Sequence, residues 1–522
     1  MPTNPPDLSH HLSDLSKARE TSPLKGLQKF FSQPGILSLA GGLPSPAYFP
    51  LSDISVNALI PESFALIPAE HSPSSLSWFW KLFGANKTKE RTSNIIIPKY
   101  PTSPTDINLA SSLQYGAAVA QTQLQDFLSH FVAEVYQPAI RDYTVLIDTG
   151  NTDGWNRAVL TLCNPGEGVL CEEWTYPSAM AAMTPSNIQP VPVAIDGQGM
   201  SSDDLERILS GWDAEARRMP RPHVMYIIPV GQNPSGSVGG CSRRANEPET
   251  AADVIIVEDD PYYFLQLGEY VSKQDRYYDQ PGDAKHFLAS LSPSFLRFDY
   301  EGRTIAPGSR LGWFTCNSLF AERLERQGET STQAPCGFGQ SIVASILQNW
   351  TYDGYVRWLR GVRTEYQQRR DFFLDCLADE FLLQERPAIN RVWSGCRTYN
   401  ALLRPKTNLD EKYPLQSRTM FSFVPPVAGM FVWMKLHLDE HPSFTPGNEE
   451  SMEMKLWVRL AENGVVFSPG WMFNAGVMGV DKVTGGESGH FRISFSNAEY
   501  SELRKAVKIF GRVIRVFFEE QS

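Results

Sequence analysis

Between residues 109 and 350, short apolar runs alternate with longer stretches of helical spacing. TVLIDTGNTDG (144–154) reads as a strand ending in a glycine turn, and GEGVLCEEWTYPS (166–178) and HVMYIIPVGQNPSG (223–236) as strands ending in loops. VIIVEDD follows at 254–260. Apolar runs of this length, bounded by turns, are strands buried on both faces. Their alternation with helices predicts a mainly parallel sheet with covering helices. Residues 340–380 place apolar positions at helical spacing through QSIVASILQNW and YVRWLRGV, which predicts a long helical stretch leading to a second domain. Beyond it, strands (429–436, 489–496) mix with helices (452–464, 498–518), an α+β pattern.

The length of 522 residues fits two domains with insertions. The pattern divides into an N-terminal arm, small-domain segment and insertion (1–108), a large domain (109–365) and a small C-terminal domain (366–522). Residues 1–24, polar and proline-rich, read as a flexible arm. ILSLAGGLPSPAYFP (36–50) sets glycine and proline after a short strand, backbone that can lie close against a ligand. Residues 62–108 read as an insertion, with SLSWFWKLFG (75–84) as a short amphipathic helix or lid.

Composition narrows the function. A net charge of −11 argues against nonspecific binding to nucleic acid or anionic membrane. The 7 cysteines lie far apart, without CxxC spacing, and argue for reduced thiols in a cytosol-like compartment and against a zinc site. The 9 histidines show no metal-ligand spacing. The N-terminus lacks the apolar core of a signal peptide. The expectation is a cytoplasmic protein with no metal, nucleic-acid or membrane partner.

The most informative run is VIIVEDDPYYFLQ (254–266). Ligands of open α/β sheets bind outside the carboxyl ends of the strands. A carboxylate delivered there with a phenol three residues on, Asp259 and Tyr262, can hold a protonated aromatic nitrogen and its neighbouring oxygen. Pyridoxal phosphate has those needs. A buried strand followed by a polar loop is the plainer reading.

With the other motifs, the chain resembles the fold-type I, pyridoxal-phosphate-dependent class I aminotransferases, within them the fungal aromatic aminotransferases and the kynurenine/α-aminoadipate aminotransferases. The resemblance implies an α/β fold: a three-layer α/β/α large domain around a mostly parallel sheet, plus a smaller α+β domain. It implies a phosphate site at Gly150-Asn151-Thr152-Asp153, where backbone N–H groups at a helix start favour an anion. Tyr176 in EEWTYPS matches the ring-stacking aromatic, Asn233 in GQNPSG the amide on the phenolic oxygen, and Asp259 and Tyr262 the nitrogen and oxygen partners. Arg310 in TIAPGSRLGW matches the phosphate-binding arginine. Tyr115 in LQYG resembles the tyrosine that reaches the phosphate of a neighbouring subunit, which implies a homodimer. Arg492 in FRISFS suits a bidentate grip on an amino-acid carboxylate, and Gly42 in AGGLP lets substrate lie against backbone. The implied reaction moves an amino group between an L-amino acid, aromatic by resemblance, and a 2-oxo acid.

One residue departs from this pattern. The family's chemistry needs a lysine that forms a Schiff base with the cofactor and then moves a proton. It stands on a strand just before the TIAPG-type stretch, but here the text is SPSFLRFDYEGRTIAPGSRLGWF (292–314). Arg303 directly precedes Thr304 and occupies the lysine's place in sequence. A guanidinium stays protonated, so it is a poor nucleophile and base. Lys285 and Lys273 lie in polar sequence on the wrong side of the gap. The loss predicts a strand missing from the middle of the sheet. Three explanations stay open: a coding segment missing from this sequence, a pseudoenzyme or scaffold that binds cofactor without a covalent link, or FLRFDY (295–300) slipping into the strand with Arg303 over the ring.

A weaker helix is expected at 237–254 because of Pro248. Ala120 stands where relatives often carry glycine. A related transcription regulator would need an N-terminal DNA-binding module, for which residues 1–35 are too short and too little basic.

Overall fold

The computed structural model describes residues 6–20, 42–67, 90–116, 119–239, 253–277, 282–307, 311–388, 391–403, 418–478 and 489–520. Contacts divide the chain into two compact units. The first comprises residues 1–164, 255–261 and 279–364; the second comprises 165–254, 262–278 and 365–522.

In the first unit, strand Tyr143–Ile147 pairs antiparallel with Trp313–Asn317, which pairs antiparallel with Thr304–Pro307. Thr304–Pro307 in turn lies parallel to Ile255–Glu258. Ile255–Glu258 is buried at every position, as its unbroken apolar run requires. Helices Asn151–Leu162 and Ser318–Glu329 pack on each other and against these strands. A separate antiparallel pair, Asp53–Leu59 with Thr92–Pro98, alternates between exposed and less exposed positions, the period of a sheet with one covered face. Its second strand lies inside the stretch that sequence marks as an insertion; SLSWFWKLFG lies outside the described residues.

The described N-terminal residues are packed, contrary to the flexible-arm expectation. Ser13 caps helix Asp14–Ala18 and ties it to Asn151–Leu162: its N–H donates to Thr161 O (2.9 Å) and its hydroxyl to Leu160 O (2.8 Å). Leu8, His11 and Leu12 are buried with it.

Among the described residues, no strand is missing where the sequence predicts a gap. Thr304–Pro307 itself stands between Ile255–Glu258 and Trp313–Asn317. FLRFDY does not slip into the sheet, since Phe295–Arg297 forms a 3-10 turn. The carboxylate of Asp299 organises the link, accepting from the backbone N–H groups of Glu301 (3.1 Å), Gly302 (2.8 Å) and Thr304 (2.7 Å). Asn317 Nδ2 donates to Gly302 O at 2.6 Å. These bonds let the four residues TIAP enter the ladder at once, so its backbone groups find partners.

In the second unit, Gly168–Glu172 lies between parallel partners Val224–Ile227 and Gln189–Val193. A six-stranded antiparallel sheet runs in the order Leu382–Pro387, Arg397–Leu403, Arg418–Phe423, Phe431–Leu436, Gly489–Ser494, Ser468–Pro469. Its aromatic core includes Phe421, Phe423, Trp433 and Phe491, all under 2% exposed. Helix Tyr500–Glu519 begins in a capping box formed by Glu499 and Glu502 and buries one apolar face, from Leu503 through Phe510 to Phe518. The predicted long helix is present as Gly337–Glu380, broken at Thr351 where φ is 60°. Of the weak helix expected at 237–254, residues 240–252 lie outside the described residues.

Candidate active site

In the first unit, strand Tyr143–Ile147 delivers its chain to Gly150, whose φ of 126° favours glycine and which caps helix Asn151–Leu162 without a side chain. Thr152 is exposed and Asn151 half-buried at the first turn. Asn151 Nδ2 donates to Asp259 Oδ1 at 2.6 Å, joining the glycine turn to the carboxyl end of Ile255–Glu258. Asp259 is buried, and the amide bond orients its carboxylate. Asn151 Oδ1 is buried without a hydrogen-bond partner. Beside it, Asp148 accepts from Gly150 N–H at 2.8 Å.

Arg303 is not part of this cluster. It stands before Thr304, and Ile256 N–H donates to its carbonyl at 3.0 Å. Thr304 aligns with Ile256 in a parallel pair, so Arg303 sits at the amino ends of these strands while Asp259 sits at the carboxyl end. Four strand positions separate the two levels, about 13 Å. Arg303 Nε instead lies 3.0 Å from Glu301. Lys285 is exposed on helix Ala284–Ala289 and Lys273 is exposed in a turn of the second unit. Tyr115 is 55% exposed, and Gly42 is exposed with open space around its Cα. Arg310 lies outside the described residues.

The second unit gathers the other predicted residues around Arg492. Its Nη1 donates to Asn233 Oδ1 at 2.8 Å and its Nη2 to Ser468 Oγ at 3.2 Å. The guanidinium lies 4.1 Å from the ring centre of Phe431 and 4.8 Å from that of Phe473, stacking that suits its flat, weakly hydrated cation. Burial lowers the pKa of Arg492, while Tyr262 and Tyr176 favour its charge. Arg492 Nε is buried without an acceptor. Tyr262 meets the Phe431 ring edge-on at 6.0 Å. Asn233 is buried at 4% exposure in the turn after Val224–Ile227. Next to it, Gln232 holds that turn, donating to Trp174 O at 2.6 Å and accepting from Ser235 N–H at 2.8 Å.

Sequence reading did not single out Asp148, for which an acid ending the apolar run TVLI was the available signal. Ser468, Phe431 and Phe473 lie in VVFSPGWMF (465–473) and AGMFVWMKL (428–436), which are similar to family segments framing the substrate side but whose glycines and aromatics could equally be structural.

Two sets of polar groups thus present an oriented buried carboxylate at a strand end and a half-buried guanidinium whose Nε has no acceptor. No protein-family model matches the chain. It is 33% identical to an aromatic amino acid aminotransferase of Schizosaccharomyces pombe, over 99% of this chain and 100% of that protein. It is 28% identical to an L-tyrosine:2-oxoglutarate aminotransferase of Tapinella panuoides, over 98% and 96%. Among solved structures, aminotransferase Aro8 from Candida albicans superposes with a TM-score of 0.78 at 30% identity, covering 99% of each chain. The Pyrococcus horikoshii kynurenine aminotransferase, solved with PMP, shares the fold (TM-score 0.58, 20% identity, 98% and 99% coverage). The architecture is the α/β fold type I of pyridoxal-phosphate-dependent transferases. The chain belongs to the aminotransferase family, whose cofactor is pyridoxal phosphate. No helix among the described residues is long and apolar enough to cross a membrane.

The donor set fits that cofactor in part. A buried carboxylate suits the cofactor's protonated ring nitrogen, while the unused guanidinium donor suits the carboxylate of an amino-acid substrate rather than the cofactor. The covalent link does not fit: Arg303 rather than a lysine precedes Thr304, and no lysine stands among Gly308, Ser309 and Arg310, which follow strand Thr304–Pro307.

Proposed function

We propose that this chain is an aminotransferase of aromatic L-amino acids that uses a 2-oxo acid as amino acceptor and works as a homodimer in the cytoplasm. The end-to-end likeness to aromatic aminotransferases at 33% identity carries the reading. When bound, pyridoxal phosphate supplies an electron sink for the bond broken at the substrate's α-carbon.

The chain's own residues hold and orient. Asp259, fixed by Asn151, pairs with the ring nitrogen and keeps it charged. Asn233 and Tyr262 donate to the phenolic oxygen, and Tyr176 lies against the ring. The first-turn N–H groups at 151–153, the Thr152 hydroxyl and Arg310 take the phosphate, with Tyr115 reaching that of the partner subunit. Arg492 grips the substrate carboxylate through its unused Nε and its fork, while Gly42 leaves room for the substrate. Phe431 and Phe473 hold the guanidinium flat for that grip.

Proton transfer at the substrate's α-carbon needs a base that these residues do not supply. Arg303 is excluded by its charge and by its position at the amino ends of the strands. We infer that the natural transcript carries a short in-frame segment with a lysine before Thr304, which sequencing across the codons for Arg303 and Thr304 tests. The second reading, an inert protein that holds the cofactor without a covalent link, is favoured by one observation: Thr304–Pro307 already closes the ladder without such a segment. Borohydride reduction of the cofactor-loaded chain, followed by intact-mass and peptide mapping, tests the chain as written. No stoichiometric phosphopyridoxyl adduct is expected, and turnover is expected to be about a thousandfold or more below that of a lysine-bearing relative. A single modified lysine with turnover within about tenfold of the relative contradicts this.

A further inference from the structure

Asp148 has no part in the function proposed above, yet it is built into the turn that opens helix Asn151–Leu162. It is fully buried. Its N–H donates to Gly312 O at 2.8 Å, and its Oδ1 accepts from Gly150 N–H at 2.8 Å. Its Oδ2 is buried without a hydrogen-bond partner. The carboxyl group fills the room that side chains would take at two neighbouring glycines. A Cβ on Gly154 would stand 2.5 Å from Oδ2, and one on Gly312 would overlap Oδ1.

The charged groups that face Asp148 are Arg157 and Asp153 on the same helix and Asp259 at the end of Ile255–Glu258. Arg157, the one cation among them, is already engaged. Its Nη2 donates to Leu324 O at 2.5 Å, its Nη1 lies 3.9 Å from Asp153, and its guanidinium lies 5.5 Å from the Phe314 ring centre. Asp148 and Asp153 therefore share one guanidinium, which Glu325 also faces, beside a turn suited to an anion, and Asp259 adds a further like charge near Asp148.

We propose that Asp148 couples the phosphate site to pH: a phosphate settling on the first turn of helix Asn151–Leu162 holds Asp148 protonated, so binding takes up one proton from solvent and weakens as pH rises. The inference rests on the reading that the cofactor phosphate lies at residues 150–153. A phosphate on the turn and a carboxylate buried beside it repel, whereas a phosphate and a neutral acid do not. Protonation also turns the unpartnered Oδ2 into a donor. Burial already raises this carboxyl to about 7, so the proton is available near neutrality.

The test is titration of the full chain and of Asp148→Asn with pyridoxamine 5′-phosphate and, separately, with pyridoxamine, between about pH 7 and pH 9. Comparing the two proteins cancels the ligand's own ionisation. For pyridoxamine 5′-phosphate, wild-type affinity is expected to fall about tenfold or more relative to Asp148→Asn across that range, with no such divergence for pyridoxamine. A constant affinity ratio, or equal divergence for both ligands, overturns the inference while leaving the proposed function standing. Failure of both proteins to bind pyridoxamine 5′-phosphate at any pH overturns the proposed function and the inference together. Should Asp148→Asn not fold, calorimetry of the wild-type chain in buffers of different ionisation enthalpy decides. About one more proton taken up with pyridoxamine 5′-phosphate than with pyridoxamine is expected, and equal uptake overturns the inference.

Discussion

Arg492 Nη1 donates to Asn233 Oδ1 at 2.8 Å across 259 positions of sequence. The pair places a guanidinium from the antiparallel sheet on an amide from the turn after a parallel strand. Arg492 keeps a buried Nε without an acceptor, the donor that the proposed grip on a substrate carboxylate would use.

Lysine at this position would keep the charge and lose the fork and the stacking on Phe431 and Phe473. In the chain loaded with pyridoxamine 5′-phosphate, Arg492→Lys is expected to weaken binding of an aromatic 2-oxo acid such as phenylpyruvate by about ten- to a hundredfold. Fluorescence titration measures it, and a change below about threefold contradicts the assigned role.

Asp148 gives the cofactor-free chain a pH signature. Burial, the largest cause, raises its carboxyl from 3.8 to about 7; the Gly150 N–H and Arg157 oppose the shift, while Asp153 and Asp259 add to it. A carboxyl with a higher pKa in the folded than in the unfolded state binds its proton more tightly when folded. Its cost is therefore absent below the unfolded value and grows as pH rises from about 4 to about 7. Chemical unfolding across that window is expected to show Asp148→Asn gaining on the wild type by about 1 kcal/mol or more. Parallel stability curves contradict the shift.

Closure of the ladder around Thr304–Pro307 depends on Asp299, whose carboxylate accepts three backbone N–H groups. Asp299→Ala is expected to cost about 2 kcal/mol in urea unfolding and to speed hydrogen exchange at Thr304 and Ile305. A loss under about 0.5 kcal/mol means the link is held in another way.

The strand ends around the site were legible in the sequence because each strand there is an unbroken apolar run stopped by polar or glycine residues, as in Tyr143–Ile147 and Ile255–Glu258. The Asn151–Asp259 bond was not, since pattern does not reveal which loop residues meet. The repair at Thr304–Pro307 was hidden for a different reason. Four residues with a proline carry little strand signal, and their pairing is fixed by Asp299 and Asn317 around them. The N-terminal residues looked like a tail because their burial rests on Ser13 and a few apolar side chains rather than on a periodic stripe.

The central claim is that the Asp259 carboxylate, fixed by Asn151, holds the ring nitrogen of a vitamin B6 cofactor. Calorimetric titration of the full chain and of Asp259→Ala with pyridoxamine 5′-phosphate tests it most directly. Saturable binding of one ligand per chain, weakened about tenfold or more by the substitution, is the predicted result. Equal affinity in both proteins, or no saturable binding to the wild-type chain, contradicts it.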